Sequence, residues 1–363
     1  MTNEFSSGTG NFDLRQLDAT AVNLIAAHEK VRQIHQGQIP LPEVVELFVC
    51  NHCTFACPHC RCAQYHGDQT EFMPLSILTK LLDELASRNV RTIELGGGGE
   101  PLDHPEIASI FHTLVAGGFR VGLITNGYRF VAEPNLLDPL MQCGDWIRFS
   151  IDGISDSVYR EVHGRDALSY QALRDIIAKA AARVRHSSGS EQRPKIGAKL
   201  IVQRPNQHQL VDAIDEAERL GIHYLQFKWL EEHPRSVPFS ERPALVTALQ
   251  RRIDELVPGS LTVDVLLGYG GPRKQGRCLM SVLHPLIDWD GTIYLCAFFH
   301  HRKAGHSIGN IAREPFFECW GSTRHRAQIR QVDPQQCVPN CPLLRYNPVI
   351  EFIVREHFRF SYI

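Results

Sequence analysis

The chain has 363 residues, with 38 Lys and Arg set against 40 Asp and Glu, and this near balance leaves no basic block of the kind that binds nucleic acid. It is 43% hydrophobic and 21% charged, which fits one large globular domain plus a smaller one, and no apolar run reaches the ~18–20 residues of a membrane helix. The first residues, Met1 to Gly8, are polar and lack the order of a signal peptide, so eleven cysteines in two groups point to metal binding in a reducing cytoplasm rather than to a disulfide scaffold.

In chain order, residues 1–43 form an extension with a helix predicted over 19–36 and ended by Pro40. Strands are predicted over 44–50, 91–97, 120–126, 145–152, 195–203 and 222–229. Helices are predicted between them over 75–87, 105–116, 168–184 and 207–220. Repeated strand–helix units imply an α/β domain over 44–232, with parallel strands and helices outside; six units are too few for an eight-fold barrel. The polar stretch 186–193 reads as a surface loop. Residues 233–277 bridge to a second unit, with a helix over 244–256 and a glycine-rich run, Gly268-Tyr-Gly-Gly-Pro-Arg273. The second unit covers 278–345, and an apolar helical tail covers 346–363.

Chemistry concentrates at the strand ends. After the first strand comes Cys53-Thr-Phe-Ala-Cys57-Pro-His-Cys60. Three thiolates on one tight loop can hold three corners of a [4Fe–4S] cube and leave the fourth iron open. A four-thiolate zinc site with Cys50 is the plainer reading, although zinc knuckles are usually paired at longer spacing. The second strand ends in Gly96-Gly-Gly-Gly-Glu100-Pro101, where glycines permit close backbone approach and a carboxylate can meet an ammonium. The third ends in Thr125-Asn126-Gly127, and the fourth in Phe149-Ser150-Ile-Asp152-Gly153.

Four such motifs on four successive strands resemble the radical S-adenosylmethionine (SAM) superfamily. The resemblance implies a partial (β/α)6 TIM-like barrel, with a SAM-binding [4Fe–4S] cluster on Cys53, Cys57 and Cys60. Gly98, Gly99 and Glu100 would contact the methionyl amine of the cofactor. Asn126 and Ser150 would line the cofactor, with Arg160 or Lys199 on its carboxylate and His59 near adenine. Asp152 is either a cofactor contact or a brace for the next turn. Cleavage of the cofactor to methionine and a 5′-deoxyadenosyl radical, followed by abstraction of substrate hydrogen, is the implied chemistry.

In the second unit, Asp290-Gly291 between alternating apolar runs signals a hairpin that carries Cys296 toward Cys278. With Cys337-Val-Pro-Asn-Cys341, the set resembles SPASM or shortened twitch auxiliary domains. One auxiliary [4Fe–4S] cluster on Cys278, Cys296, Cys337 and Cys341 is implied, with zinc in the same thiolates as the alternative. Cys319 is by default a small buried residue and, more sharply, a hydrogen-atom donor, as is Cys143.

The expected reaction is dehydrogenation or epimerisation of a carbohydrate-like or other small polar substrate, with flavodoxin or ferredoxin as electron donor. Lys228, Glu231 and Glu232, at the end of the sixth strand, are candidate bases. Ala297 stands where sulfatase-maturing relatives carry an aspartate, which disfavours formylglycine formation. The alternative is a maturase that modifies a ribosomally made peptide or protein.

Overall fold

The structure, a computed structural model, describes residues 25–63, 70–164, 169–186, 194–266, 278–297, 306–337, 341 and 343–360. Most of the predicted 186–193 loop and the Gly268–Arg273 run lie outside these. Alternation along each strand sends one set of side chains outward and the other inward. On β1 (Val45–Phe48), β2 (Thr92–Gly96), β3 (Arg120–Thr125), β4 (Gly144–Ser150), β5 (Lys195–Val202) and β6 (Tyr224–Trp229) the outward set is apolar and buried. Val45 and Leu47, Ile93 and Leu95, Ile147 and Phe149 join one core with Leu78, Leu82 and Leu85 of helix Leu75–Ser87 and with Leu173 and Ile177 of helix Tyr170–Arg185. Ser169 starts the latter helix by accepting the Ala172 N–H, and Gly221 in the left-handed region ends helix Leu210–Leu220.

Strands β1 to β6 pair in parallel and in chain order, which is the predicted partial barrel. A seventh parallel strand, β7 (Thr262–Leu266), extends it beside β6. The sequence reading missed it within the bridging region, because five alternating residues between Pro258-Gly259 and a glycine run give too little periodicity. At the other edge, β8 (Leu286–Ile287) pairs in parallel with β1 and turns through Asp290-Gly291 into antiparallel β9 (Thr292–Tyr294) and then β10 (Ser307–Asn310). The sheet order is therefore β10-β9-β8-β1-β2-β3-β4-β5-β6-β7, so the predicted hairpin of the second unit is continuous with the barrel sheet. Helix His28–His35 packs through Val31 onto Tyr346, Val349 and Ile350 at the start of the C-terminal helix Asn347–Phe360, beside Cys278.

Two glycines set the floor of the barrel. Gly122 of β3 sits in register with Trp146 of β4, and Gly197 of β5 with Tyr224 of β6. A Cβ on either would run into the neighbouring aromatic ring, so each glycine lets a large ring lie flat across the lumen. Gly197→Ala is expected to lower stability by about 1–3 kcal/mol, because Tyr224 must leave its place. Chemical denaturation of the variant checks this, and an unchanged midpoint would count against the floor.

Candidate functional site

The cysteine loop leaves β1 at the carboxyl end of the sheet and is braced against the loop that follows β2. Gly99 N–H donates to the Cys50 carbonyl (2.9 Å) and Glu100 N–H to the His52 carbonyl (2.7 Å). Thr54 donates both its N–H (2.7 Å) and its hydroxyl (2.5 Å) to Asp103, and Cys62 Sγ lies 3.2 Å from the Gly97 carbonyl. A Cβ on Gly99 would strike His52, and the ring of Trp289, from the β8–β9 turn, packs on Gly98. The absence of a side chain at these glycines thus permits close loop-to-loop contact. Phe55 anchors the middle of the cysteine loop edge-on to Tyr128 and Tyr159, each 6.2 Å away.

Glu100 is buried where β2 and β3 end. Its carboxylate accepts from the Thr125 hydroxyl (2.5 Å), the Asn126 N–H (2.7 Å) and the Leu102 N–H (3.2 Å). Burial outweighs these donors and pushes its pKa up to about 7. A nearby cation would favour ionisation of this group. Asn126 also brings its Nδ2 to 4.0 Å from Cys53 Sγ.

Asp152 has φ 28°, in the left-handed region, and is buried. Its Oδ1 accepts from the Ile201 N–H (2.5 Å), its Oδ2 lies 3.3 Å from His59 Nε2, and its carbonyl accepts from Asn206 Nδ2 (2.8 Å). Burial alone would raise its pKa, but the His59 hydrogen bond and the nearby His163 win and hold it below the usual carboxylate range. Asp152 is therefore a brace that fixes His59, the residue before Cys60. Asp152→Asn keeps the shape and removes the charge, so a stability loss of about 1–3 kcal/mol is expected, with weaker cluster retention. Melting of the reconstituted protein, with iron analysis, tests this; a neutral variant would contradict it.

His163, which sequence reasoning missed, ends helix Asp156–His163 with Nδ1 3.1 Å from Cys57 Sγ. Its carbonyl accepts from the Ala56 N–H (3.3 Å). The helix start had a visible signal in Ser155, which caps it, but nothing in the sequence pairs His163 with Cys57.

Other predicted residues lie elsewhere. Arg160 is exposed, and its Nε donates to Asp156 of its own helix (3.1 Å); among its described contacts none reaches the cysteine loop. Glu231 is held at both oxygens by Arg242 (2.9 and 3.0 Å), whose guanidinium stacks on Trp229, so it is a structural ion pair rather than a free base. Glu232 is exposed. Cys319 is fully buried against Gly309 of β10, and nearby Phe316 N–H donates to Glu84 (2.8 Å) in the last turn of helix Leu75–Ser87, on the amino-terminal side of β2. Cys143 directly precedes β4, also at its amino end. Both candidate hydrogen donors are thus corrected to positions opposite the mouth. Ser150 and Lys199 are in register at the mouth, and Lys228 is in register with Ile201, next to the Asp152 brace.

The donor set fits an iron–sulfur cluster. Cys53, Cys57 and Cys60 are half-buried, and for the first two burial, followed by nearby negative charge, disfavours the thiolate, raising Cys53 to about 12 and Cys57 further. Cationic iron reverses that balance and displaces the protons. In the second unit, burial first and then the nearby Cys341 and Cys337 raise Cys278 to about 11, while Cys296 is buried just past β9. Among the described residues no three donors close around a single ion.

Known proteins decide the family. Residues 47–190 match the radical SAM superfamily and residues 278–342 the iron–sulfur cluster-binding SPASM domain. The chain belongs to the radical SAM superfamily. Its cofactors are accordingly SAM, the [4Fe–4S] cluster that binds it and auxiliary iron–sulfur in the SPASM domain. This radical SAM chain is 21% identical over 327 residues to the tungsten-containing aldehyde ferredoxin oxidoreductase cofactor-modifying protein of Pyrococcus furiosus, covering 85% of this chain and 88% of that one. It is 27% identical over 141 residues to the S-adenosylmethionine-dependent nucleotide dehydratase of Selenomonas ruminantium, covering 38% of this chain and 50% of that one. In fold it is similar to SuiB of Streptococcus suis bound to S-adenosylmethionine, with TM-score 0.64 at 12% identity over 87% of this chain and 74% of that one. No helix among the described residues is long and apolar enough to cross a membrane.

Proposed function

We propose that this radical SAM enzyme dehydrogenates a small polar substrate held in the barrel lumen. The observation that carries this reading is the lumen wall itself. Inward positions on β1, β2, β4, β5, β6 and β7 carry Glu46, Glu94, Arg148, Lys199, Gln226, Lys228 and Asp264, over an aromatic floor. Such a wall solvates a polar molecule and would strand an apolar one.

In this reading Cys53, Cys57 and Cys60 hold the cluster, and SAM bound to it supplies a radical able to take hydrogen from an unactivated carbon. Glu100 faces the methionyl ammonium, and Asn126 and Ser150 line the cofactor. Asp152 holds His59 at the cysteine loop. Lys228, at the mouth, is the group placed to accept a substrate proton. Cys278, Cys296, Cys337 and Cys341 would hold the auxiliary iron–sulfur, which would supply a one-electron acceptor for the oxidation. The displacement of Cys319 and Cys143 from the mouth favours oxidation over thiol-mediated epimerisation.

Deuterated sugars and other small polar compounds test this with reconstituted, reduced protein. Transfer of label into 5′-deoxyadenosine with a new carbonyl in the product is the expected result. Solvent deuterium in an otherwise unchanged product would mean epimerisation, and label arriving only from a peptide would mean a maturase.

A further inference from the structure

The lumen wall is not evenly charged. The carboxylates Glu46 and Glu94 face each other across β1 and β2, with His284 Nε2 3.7 Å and 4.0 Å from them. The cations lie across the barrel, on β4, β5 and β6. Arg148 Nη1 donates to the neutral amide of Gln226 (3.2 Å), its guanidinium stacks 5.3 Å from the Trp146 ring centre, and its buried Nε has no partner among the described residues. Lys199 makes no hydrogen bond or ion pair among the described residues. Burial first, then repulsion from Arg148 and Lys228, acts against its charge; attraction from Asp152 and Glu94 is weaker. Elsewhere in the fold, buried or half-buried arginines such as Arg242 and Arg252 are matched by carboxylates.

Two crowded cations with no ion pair at contact distance among the described residues, and only longer-range attraction from Glu46 and Glu94, are costly unless an anion from outside completes them. An arginine fork within electrostatic reach of a lysine point charge matches the oxygens of a carboxylate or phosphate. The position suits substrate: Lys199 pairs in register with Ser150 at the mouth, and the rings of Trp146 and Tyr224 close the channel below. We propose that Arg148 and Lys199 bind an anionic group, carboxylate or phosphate, carried by the substrate. This rests on the reading above that the lumen holds a small polar substrate, and it narrows that substrate to an anionic one.

The test is equilibrium dialysis of the reconstituted, anaerobic protein against pyrophosphate or malonate, with and without saturating SAM. Pyrophosphate binding alone marks a phosphate site, and malonate binding alone a carboxylate site; either supports the proposal when it persists with SAM. Lys199→Met and Arg148→Met are each expected to weaken that binding tenfold or more. Gln226→Glu, an isosteric change that supplies Arg148 with an internal carboxylate, is expected to do the same without disturbing the packing. Retention of neither anion in the presence of SAM overturns the proposal, and so does binding indifferent to all three variants. Competition between anion and SAM, with SAM retention lost in Lys199→Met, would also overturn it, since the cations would then hold the cofactor's own carboxylate. Formation of 5′-deoxyadenosine is measured on the same samples. Radical formation without anion binding sinks this inference and spares the enzyme reading; anion binding without SAM cleavage does the reverse.

Discussion

Cys57→Ser protein, reconstituted with iron and sulfide, is expected to hold about half the iron of the unchanged protein and to form no 5′-deoxyadenosine above background. The reasoning is local. Cys57 lies at the centre of the three-thiol loop, it is the sulfur that His163 approaches to 3.1 Å, and it is electrostatically coupled to both Cys53 and Cys60. A serine hydroxyl is a hard and weakly acidic donor that does not replace thiolate on iron. Of the auxiliary cysteines, Cys278 packs in a separate apolar cluster with Tyr346, Val349 and Ile350 of the C-terminal region, and Cys296 follows β9 at the opposite edge of the sheet from β7, so their iron should stay. Loss of all iron would mean that the two sites fold as one. Full iron with full SAM cleavage would remove Cys57 from the cluster and undo the site.

Much of this was legible in the sequence because barrel strands carry their signal twice. Each of the six predicted strands shows buried alternation, and each motif falls where that alternation stops, at the carboxyl end where active residues of such barrels gather. Helix Leu75–Ser87 is placed as expected because its leucines repeat at helical spacing after Pro74. What stayed hidden depends on partners distant along the chain. Glu231 reads as a free pocket acid until Arg242, eleven positions on, takes both its oxygens. Asp103, 49 positions from Thr54, is unremarkable as text, yet it ties the cysteine loop down. Cys319 follows two phenylalanines in an apolar stretch, and only the Phe316 N–H bond to Glu84, 232 positions back, shows that its short helix packs on the amino-terminal side of β2. The split of lumen charge is likewise invisible until strand order sets Glu46 beside Glu94 and Arg148 within reach of Gln226.

Glu100→Gln is expected to weaken SAM binding about a hundredfold, the order of loss when one member of a buried, hydrogen-bonded charge pair is neutralised. The three groups that face this carboxylate in the chain, Thr125, Asn126 and Leu102, all act as donors, so an amide nitrogen placed among them meets at least one N–H head-on. The wild-type pH dependence has two opposite signs. In the cofactor-free protein burial raises the Glu100 pKa to about 7 from an ordinary value near 4.5. The folded state then binds the proton more tightly than the unfolded one, so this group's contribution to stability is present below about 4.5 and fades as pH rises through 7. On the proposed reading SAM runs the other way: if its ammonium pairs with the ionised form of Glu100, its affinity should rise as pH climbs through 7. The thermal shift produced by SAM is therefore expected to be larger at pH 8 than at pH 6 in the unchanged protein, and flat in Glu100→Gln. A pH-independent shift in both proteins would leave Glu100 as a clamp between β2 and β3 with no part in holding the cofactor.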